Sequence, residues 1–174
     1  MTKLIISILL LISVPQNDLR VEAEKSISAL LGKNIETVFE KFVIPGDTKK
    51  DIERTVRQKF FGETLYRWKV FEKNELIAVA YLDNVYGKTM PITFLVILNV
   101  KGEVLTTEII KYREQYGGGV AEKSWLNQFQ GRSENFSLSS GNDIATISGA
   151  TISSRSVTAG VKKIILLNKM VNSL

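Results

Sequence analysis

The 174-residue chain contains no cysteine and no histidine. Those two absences remove whole classes of chemistry. Without thiolates or imidazoles there is no Cys/His zinc site, no cysteine-held iron–sulfur cluster and no haem attached through Cys-x-x-Cys-His. A histidine general base and a His-centred triad are excluded as well. No disulfide can form, so cysteine usage does not report the redox compartment. A chain of this kind that moves electrons needs an organic cofactor to carry them. Charge of one sign is not concentrated either. The 23 Lys and Arg against 18 Asp and Glu give a net +5. They are spread along the chain with no Arg-rich arm and no RNA-reading aromatic motif, which argues against nucleic-acid binding. At 44% hydrophobic and 24% charged residues, the chain has the material for one domain with a real core.

Long apolar runs are also missing. The most apolar stretch, Leu4 to Val14, follows Lys3 and is broken by Pro15. A helix of that length reaches about 16 Å, against a hydrocarbon core of about 30 Å. A basic start and a short apolar stretch fit a signal peptide or short membrane leader over residues 1–16. The protein is then expected to be exported, periplasmic or associated with the outer face of the inner membrane. The alternative is a buried N-terminal helix. No cysteine follows the run, which rules out a lipoprotein anchor. Cleavage after Ala23 would split a helical face formed by Leu19, Ala23, Ile27, Leu30 and Leu31.

Beyond the leader, the pattern predicts a helical region over 17–62 and the main domain over 63–174. Asp18 to Leu31 reads as an amphipathic helix ending near Gly32, and Asn34 to Phe42 as a second. Pro45-Gly46 breaks the chain, and a third helix covers Lys49 to Phe60, with Ile52, Val56 and Phe60 four residues apart. Strands follow at Leu65–Glu72, Leu76–Leu82, Ile92–Val100 and Val104–Tyr112, with turns at Lys73-Asn74 and Lys101-Gly102. A short helix over 121–130 and a long one from Ser154 to Asn172 complete the chain. The fold class is α+β: an antiparallel sheet of about four or more strands packed against helices.

Two constellations carry chemistry. The first is Ser148-Gly149-Ala150-Thr151, leading into the last helix. Gly149 permits an unusual backbone, and Ala150 leaves room beside Thr151. Ser153 or Ser154 is expected to cap the helix, whose free N–H groups favour an anion, and Arg155 adds a charged donor. A plain N-capped turn would use the same residue types. The second is Tyr112-Arg113-Glu114-Gln115-Tyr116-Gly117-Gly118-Gly119-Val120, followed by Trp125 and Gln128-Phe129-Gln130-Gly131-Arg132. Three consecutive glycines let backbone approach a flat ring, though they also suit a flexible loop. Trp125 and Phe129 can wall such a ring or serve as core. Arg113 suits an anionic ring edge, or an ion pair with Glu114 or Glu108.

Together these segments resemble the FMN-binding domain family over roughly residues 80 to 165. The family's flavinylation motif ends in Ser-Gly-Ala-Thr. Its stand-alone members carry Tyr-Arg-Glu-x-x-Gly-Gly and Trp-x-x-Gln-Phe-x-Gly. In the FMN-carrying subunits of sodium-pumping quinone reductase and related complexes, Glu-Thr-Pro-Gly-Leu-Gly occupies the place of Glu114 to Gly119. Tyr86-Gly87, ahead of the Pro91–Val100 strand, also looks familial. The resemblance implies FMN joined through its phosphate to Thr151. Ser148, Gly149, Ala150, Ser153, Ser154 and Arg155 would lie around the phosphate, and Glu114, Gly117, Gly118, Gly119 and Trp125 beside the ring. It implies no catalytic residue and no metal ligand, but a flavin transferase that uses FAD and magnesium and releases AMP. It also implies a redox donor and acceptor, of which either can be membrane-bound. One departure stands out. The family's acid six residues before the Thr is replaced by Ala145, and the nearest acid is Asp143. Three other readings stay open: FMN held without a covalent bond, a cell-envelope binding module that has lost the flavin, and an FMN-dependent reductase.

Overall fold

The computed structural model describes residues 17–172, so the leader expected over 1–16 lies outside the described residues. Helix α1 (Asn17–Leu31) is followed by strand β1 (Glu36–Val43), helix α2 (Gly46–Val56) and strands β2 (Thr64–Glu72), β3 (Glu75–Tyr86), β4 (Pro91–Asn99) and β5 (Val104–Lys111). A 3-10 turn at Gly118–Ala121, a one-turn helix α3 (Lys123–Leu126) and a second 3-10 turn at Asn127–Phe129 lead into a long loop and the last helix, α4 (Thr151–Asn172).

The five strands form one antiparallel sheet in chain order, β1-β2-β3-β4-β5. Local chemistry explains the order. Lys73 and Asn74 both take positive φ, 50° and 66°, as a two-residue hairpin turn requires, and Glu72 pairs with Glu75 across it. Strand alternation then sorts the side chains. Val79, Tyr81, Val85, Phe94, Val96 and Leu98 face one way and pack with Val157, Val161, Ile164 and Ile165 of α4. Trp68, Val70, Ala78, Ala80, Leu82, Leu95 and Ile97 face the other way and pack with Ala23 and Ile27 of α1. Both faces of β4 are therefore covered, and that is why its sequence is apolar almost throughout instead of alternating.

Three expectations change. Residues 34–42 are not helical: they form β1, paired with β2 from Glu36 opposite Phe71 to Val43 opposite Thr64. As part of this sheet, β1 joins residues 17–62 to the rest of the domain. Helix α2 starts at Gly46 and stops at Val56, because Arg57 takes the left-handed conformation at φ 56°. The helix expected over 121–130 is broken into α3 and two 3-10 turns, with Glu122 extended between them.

One polar group sits deep in the α4 face. Lys163 is fully buried, with its ammonium 3.0 Å from a carboxylate oxygen of buried Asp83 on β3. It also donates to the Lys59 carbonyl at 3.1 Å and lies 4.5 Å over the Phe60 ring. Helix α4, the sheet and the segment after α2 are thus fastened at a single point.

Topology also separates two ends. The exit of β1, the start of β2, the exit of β3, the start of β4 and the exit of β5 lie together, while the turns at 73–74 and 100–103 lie at the opposite end. Helix α4 begins at the first end, where Ser153 Oγ is 3.3 Å from the Tyr112 hydroxyl just beyond β5.

Candidate functional site

A groove of about 560 Å³ opens at that first end, a volume typical of ligand sites. Three segments line it: Lys88 and Thr89 from the β3–β4 turn, Glu114 to Tyr116 after β5, and Gly149 to Ser153 at the start of α4.

The first two segments are held together by Glu114. One carboxylate oxygen accepts from the Thr89 N–H at 2.7 Å and from the Met90 N–H at 3.2 Å, and the other accepts from the Thr89 hydroxyl at 2.7 Å. A Cβ on Gly87 would stand 2.3 Å from the first of these oxygens, so the turn closes on Glu114 only without a side chain there. The Thr89 backbone bond, the Thr89 hydroxyl and the Met90 N–H hold the Glu114 carboxyl below the usual carboxylate value of 4.5. With a depressed folded-state pKa, the stabilisation is fully present above pH 4.5 and is lost as pH falls through the lower folded value. Amide protection at Thr89 and Met90, followed by NMR exchange, is therefore expected to collapse on acidification below pH 4.5 while the sheet amides stay protected. Arg113 takes a different course from the one expected. Its guanidinium donates to the Pro91 carbonyl at 3.0 Å and the Thr93 hydroxyl at 2.9 Å, tying β4 to the chain leaving β5.

The third segment is braced from behind. Trp125 donates its indole N–H to the Ala145 carbonyl at 2.6 Å, and the Ala145 N–H donates to the Gln128 side-chain oxygen at 2.8 Å. The Trp-x-x-Gln spacing thus clamps both backbone groups of one residue in the loop before Thr151. Asp143 is occupied elsewhere: it accepts from the Ser137 hydroxyl, and from the Ser139 N–H at 2.8 Å, and these bonds lower its pKa. Gly117, at φ 85°, lets the chain pass close to the motif; a Cβ there would meet the Tyr112 hydroxyl at 2.8 Å and the Ala150 methyl at 3.2 Å.

Helix α4 begins at Thr151, three residues earlier than expected, so neither Ser153 nor Ser154 caps it. Both serines are buried inside the first turn. Ser154 Oγ donates back to the Ala150 carbonyl at 2.8 Å, and Ser153 Oγ meets Tyr112. The first N–H groups of this 22-residue helix have no intrahelical acceptor and face the groove end. Thr151 is exposed at that position.

Of the residues singled out in the sequence, Glu114, Gly149, Ala150, Thr151 and Ser153 line the groove. Ser148 is exposed just before it. Arg155 is exposed one turn into α4, outside the lining. Ser154 is buried beneath the groove, and Gly117 packs behind Ala150. Gly118 and Gly119 do not line it, and a Cβ on Gly119 would press on Ile147 at 3.2 Å. Trp125 is 6% exposed, stacked edge-on with Phe129, and belongs to the core. Sequence reasoning missed Lys88, Thr89, Gln115, Tyr116 and Ile152. Gln115 and Tyr116 sit inside the Tyr112–Val120 motif already noted, Ile152 directly follows Thr151, and Lys88 directly follows Tyr86-Gly87. Among the described residues, no group of three acidic side chains could hold a metal.

The fold and groove define an α+β ligand-binding domain in which an exposed threonine heads a helix able to receive an anion. Residues 87–166 match the profile of the FMN-binding domain family, an interval that contains all three groove segments; the chain carries an FMN-binding domain. Among solved structures it is similar to NqrC from Shewanella oneidensis, at 16% identity over 90% of this chain and 96% of that one, with a TM-score of 0.57. No curated protein matches the sequence. The residues present fit FMN. The groove is roomy, its third wall offers free N–H groups for a phosphate, Lys88 adds a cation, and Tyr116, 77% exposed, offers an aromatic face.

Proposed function

We propose that the chain is an extracytoplasmic flavoprotein electron carrier whose FMN is joined through its phosphate to Thr151 Oγ. The observation that carries this reading is the position of Thr151: exposed, first in α4, at the groove, and inside the matched family segment. Bound flavin supplies the electron exchange. The chain's own residues hold it. Thr151 provides the attachment oxygen, and the first N–H groups of α4 with Lys88 offset the phosphate charge. Tyr116 and Ile152 flank the ring, and Glu114 keeps the Lys88–Met90 wall in place. The groove's one carboxylate, Glu114, is bonded to the Thr89–Met90 turn. A flavin transferase is the modifying partner, and the electron donor and acceptor are separate proteins.

Ala145 favours a second reading in which FMN occupies the same groove without a covalent bond. Expression with a flavin transferase, followed by denaturation, intact-mass measurement and in-gel fluorescence, separates the two. FMN retained after denaturation supports attachment. Flavin present only in the native protein supports tight non-covalent binding, and flavin in neither state leaves the envelope module. The motif acid is testable as well. Residue 145 is exposed and held only by its backbone, so Ala145→Asp is tolerated by the loop. If the transferase reads this carboxylate by a charge-assisted hydrogen bond, incorporation should speed up about 10- to 150-fold, the rate equivalent of about 1.5–3 kcal/mol.

A further inference from the structure

Three consecutive residues follow the end of β5, and each is tied to a different element. Tyr112 reaches the first turn of α4, Arg113 holds β4, and Glu114 holds the turn between β3 and β4. Glu114 therefore joins the groove's second wall to its first. Tyr112 joins the second wall to the third.

The Tyr112 tie is built from one oxygen. The ring is half-buried against the core on the α4 face, which fixes where the hydroxyl stands. The hydroxyl donates its single proton to the Tyr116 carbonyl at 2.6 Å. Its oxygen is then left to accept from Ser153 Oγ, 3.3 Å away on α4. Ser153 is 4% exposed, so water has little access to that bond. Gly117 makes the room, since a Cβ there would stand 2.8 Å from the same oxygen. Tyr116, whose own side chain lies mostly in solvent, cannot be placed by burial. Its position at the groove lip depends on its backbone carbonyl being held.

From this arrangement we propose that Tyr112 is the positioning residue of the groove. Its hydroxyl sets the spacing between the Tyr116 lip and the first turn of α4, and so confines a flat ring lying between them. Tyr112 is not part of the groove lining, so it acts through Tyr116 and Ser153. Confinement of the ring rests on the flavin reading above, whereas the tie between the walls exists without a ligand. Rigid walls set before a ligand arrives spare it the cost of ordering them.

Tyr112→Phe removes the oxygen and keeps the ring. Ser153→Ala removes its partner on α4. Both variants and their combination are made in the full-length protein. Two amides report on the walls without flavin: Val120, which donates to the Gly117 carbonyl, and Ser154, which donates to the Ala150 carbonyl. Hydrogen exchange at both should rise about fivefold in Tyr112→Phe, the ratio equivalent of one hydrogen bond, while the sheet amides keep their protection. Ser153→Ala should show the rise at Ser154, and the double variant should add little to Tyr112→Phe, because the two side chains share a bond. Unchanged exchange in Tyr112→Phe, or effects that simply sum, overturns the proposal. Flavin-loaded samples matched for flavin content give the second readout. Iodide should quench flavin fluorescence severalfold more strongly in Tyr112→Phe than in wild type, because the ring is no longer confined. Equal quenching also overturns the proposal. A wild type that takes no flavin refutes the carrier, and with it the confinement of a ring, while the exchange data still decide the tie between the walls.

Discussion

Lys163→Met is expected to lower the unfolding free energy by about 3–5 kcal/mol, the usual result of removing one partner from a buried ion pair. For a protein of this size that corresponds to a fall in Tm of about 6–20 °C. Lys163 is fully buried and Asp83 is 4% exposed, so no solvent can replace the lost cation. One Asp83 oxygen accepts from the neighbouring Asn84 N–H at 2.8 Å; the other has only Lys163 beside it. The substitution therefore strands a carboxylate in the core, and it also takes a donor from the Lys59 carbonyl. Adding Asp83→Asn should recover most of the loss, because the uncompensated charge is gone while the volume is kept. The pair is then strongly non-additive. Urea unfolding of the two single variants and the double variant measures this. A Lys163→Met protein as stable as wild type, or a double variant that simply sums the singles, would count against a paired interior.

Thr151→Val should eliminate flavin that survives denaturation, and Thr151→Ser should retain it. Valine matches the shape but removes the only atom proposed to form the phosphoester. The fold has little reason to respond. Thr151 is exposed, its contribution to the first turn is its backbone carbonyl, which accepts from Ser154 Oγ at 3.3 Å, and the helix-propensity difference is a few tenths of a kcal/mol. Circular dichroism and Tm should therefore match wild type. Reduced but measurable flavin in the native Thr151→Val protein is compatible with the groove holding the ring by itself. Full retention after denaturation would place the bond elsewhere.

The sheet from β2 to β5 was legible because its turns carry their own signals and its strands are β-branched and apolar. Strand β1 was not. Ile35, Val38, Phe39 and Phe42 recur at helical spacing, and an edge strand with exposed faces on both sides lacks the alternation of a half-buried one. The aromatics explain the strand. Phe39 packs with Tyr66 and Trp68 under Arg20, and Phe42 lies under Arg67, on opposite faces. Those partners are distant in sequence, so local pattern could not find them. The site divides in the same way. Gly149, Ala150, Thr151 and Glu114, which line the groove, were singled out through the family resemblance of their motifs. The jobs of Trp125 and Gln128 were not, because their partner is the backbone of Ala145, which any residue supplies. Ser153 and Ser154 were misread for a related reason: residue type predicts capping ability, but where the helix starts depends on how the loop is held.

The sequential strand order sets a timetable. Every strand pairs with a neighbour in the chain, so the whole sheet is complete once Lys111 has been made. Thr151 and the helix it heads arrive last, and they cover a face that until then is bare. A molecule cut short before α4 thus keeps a plausible sheet but has neither its main core nor a place for a phosphate. A phosphate bonded at Thr151, as proposed, would rest on that helix start, so its presence there would report that α4 had formed.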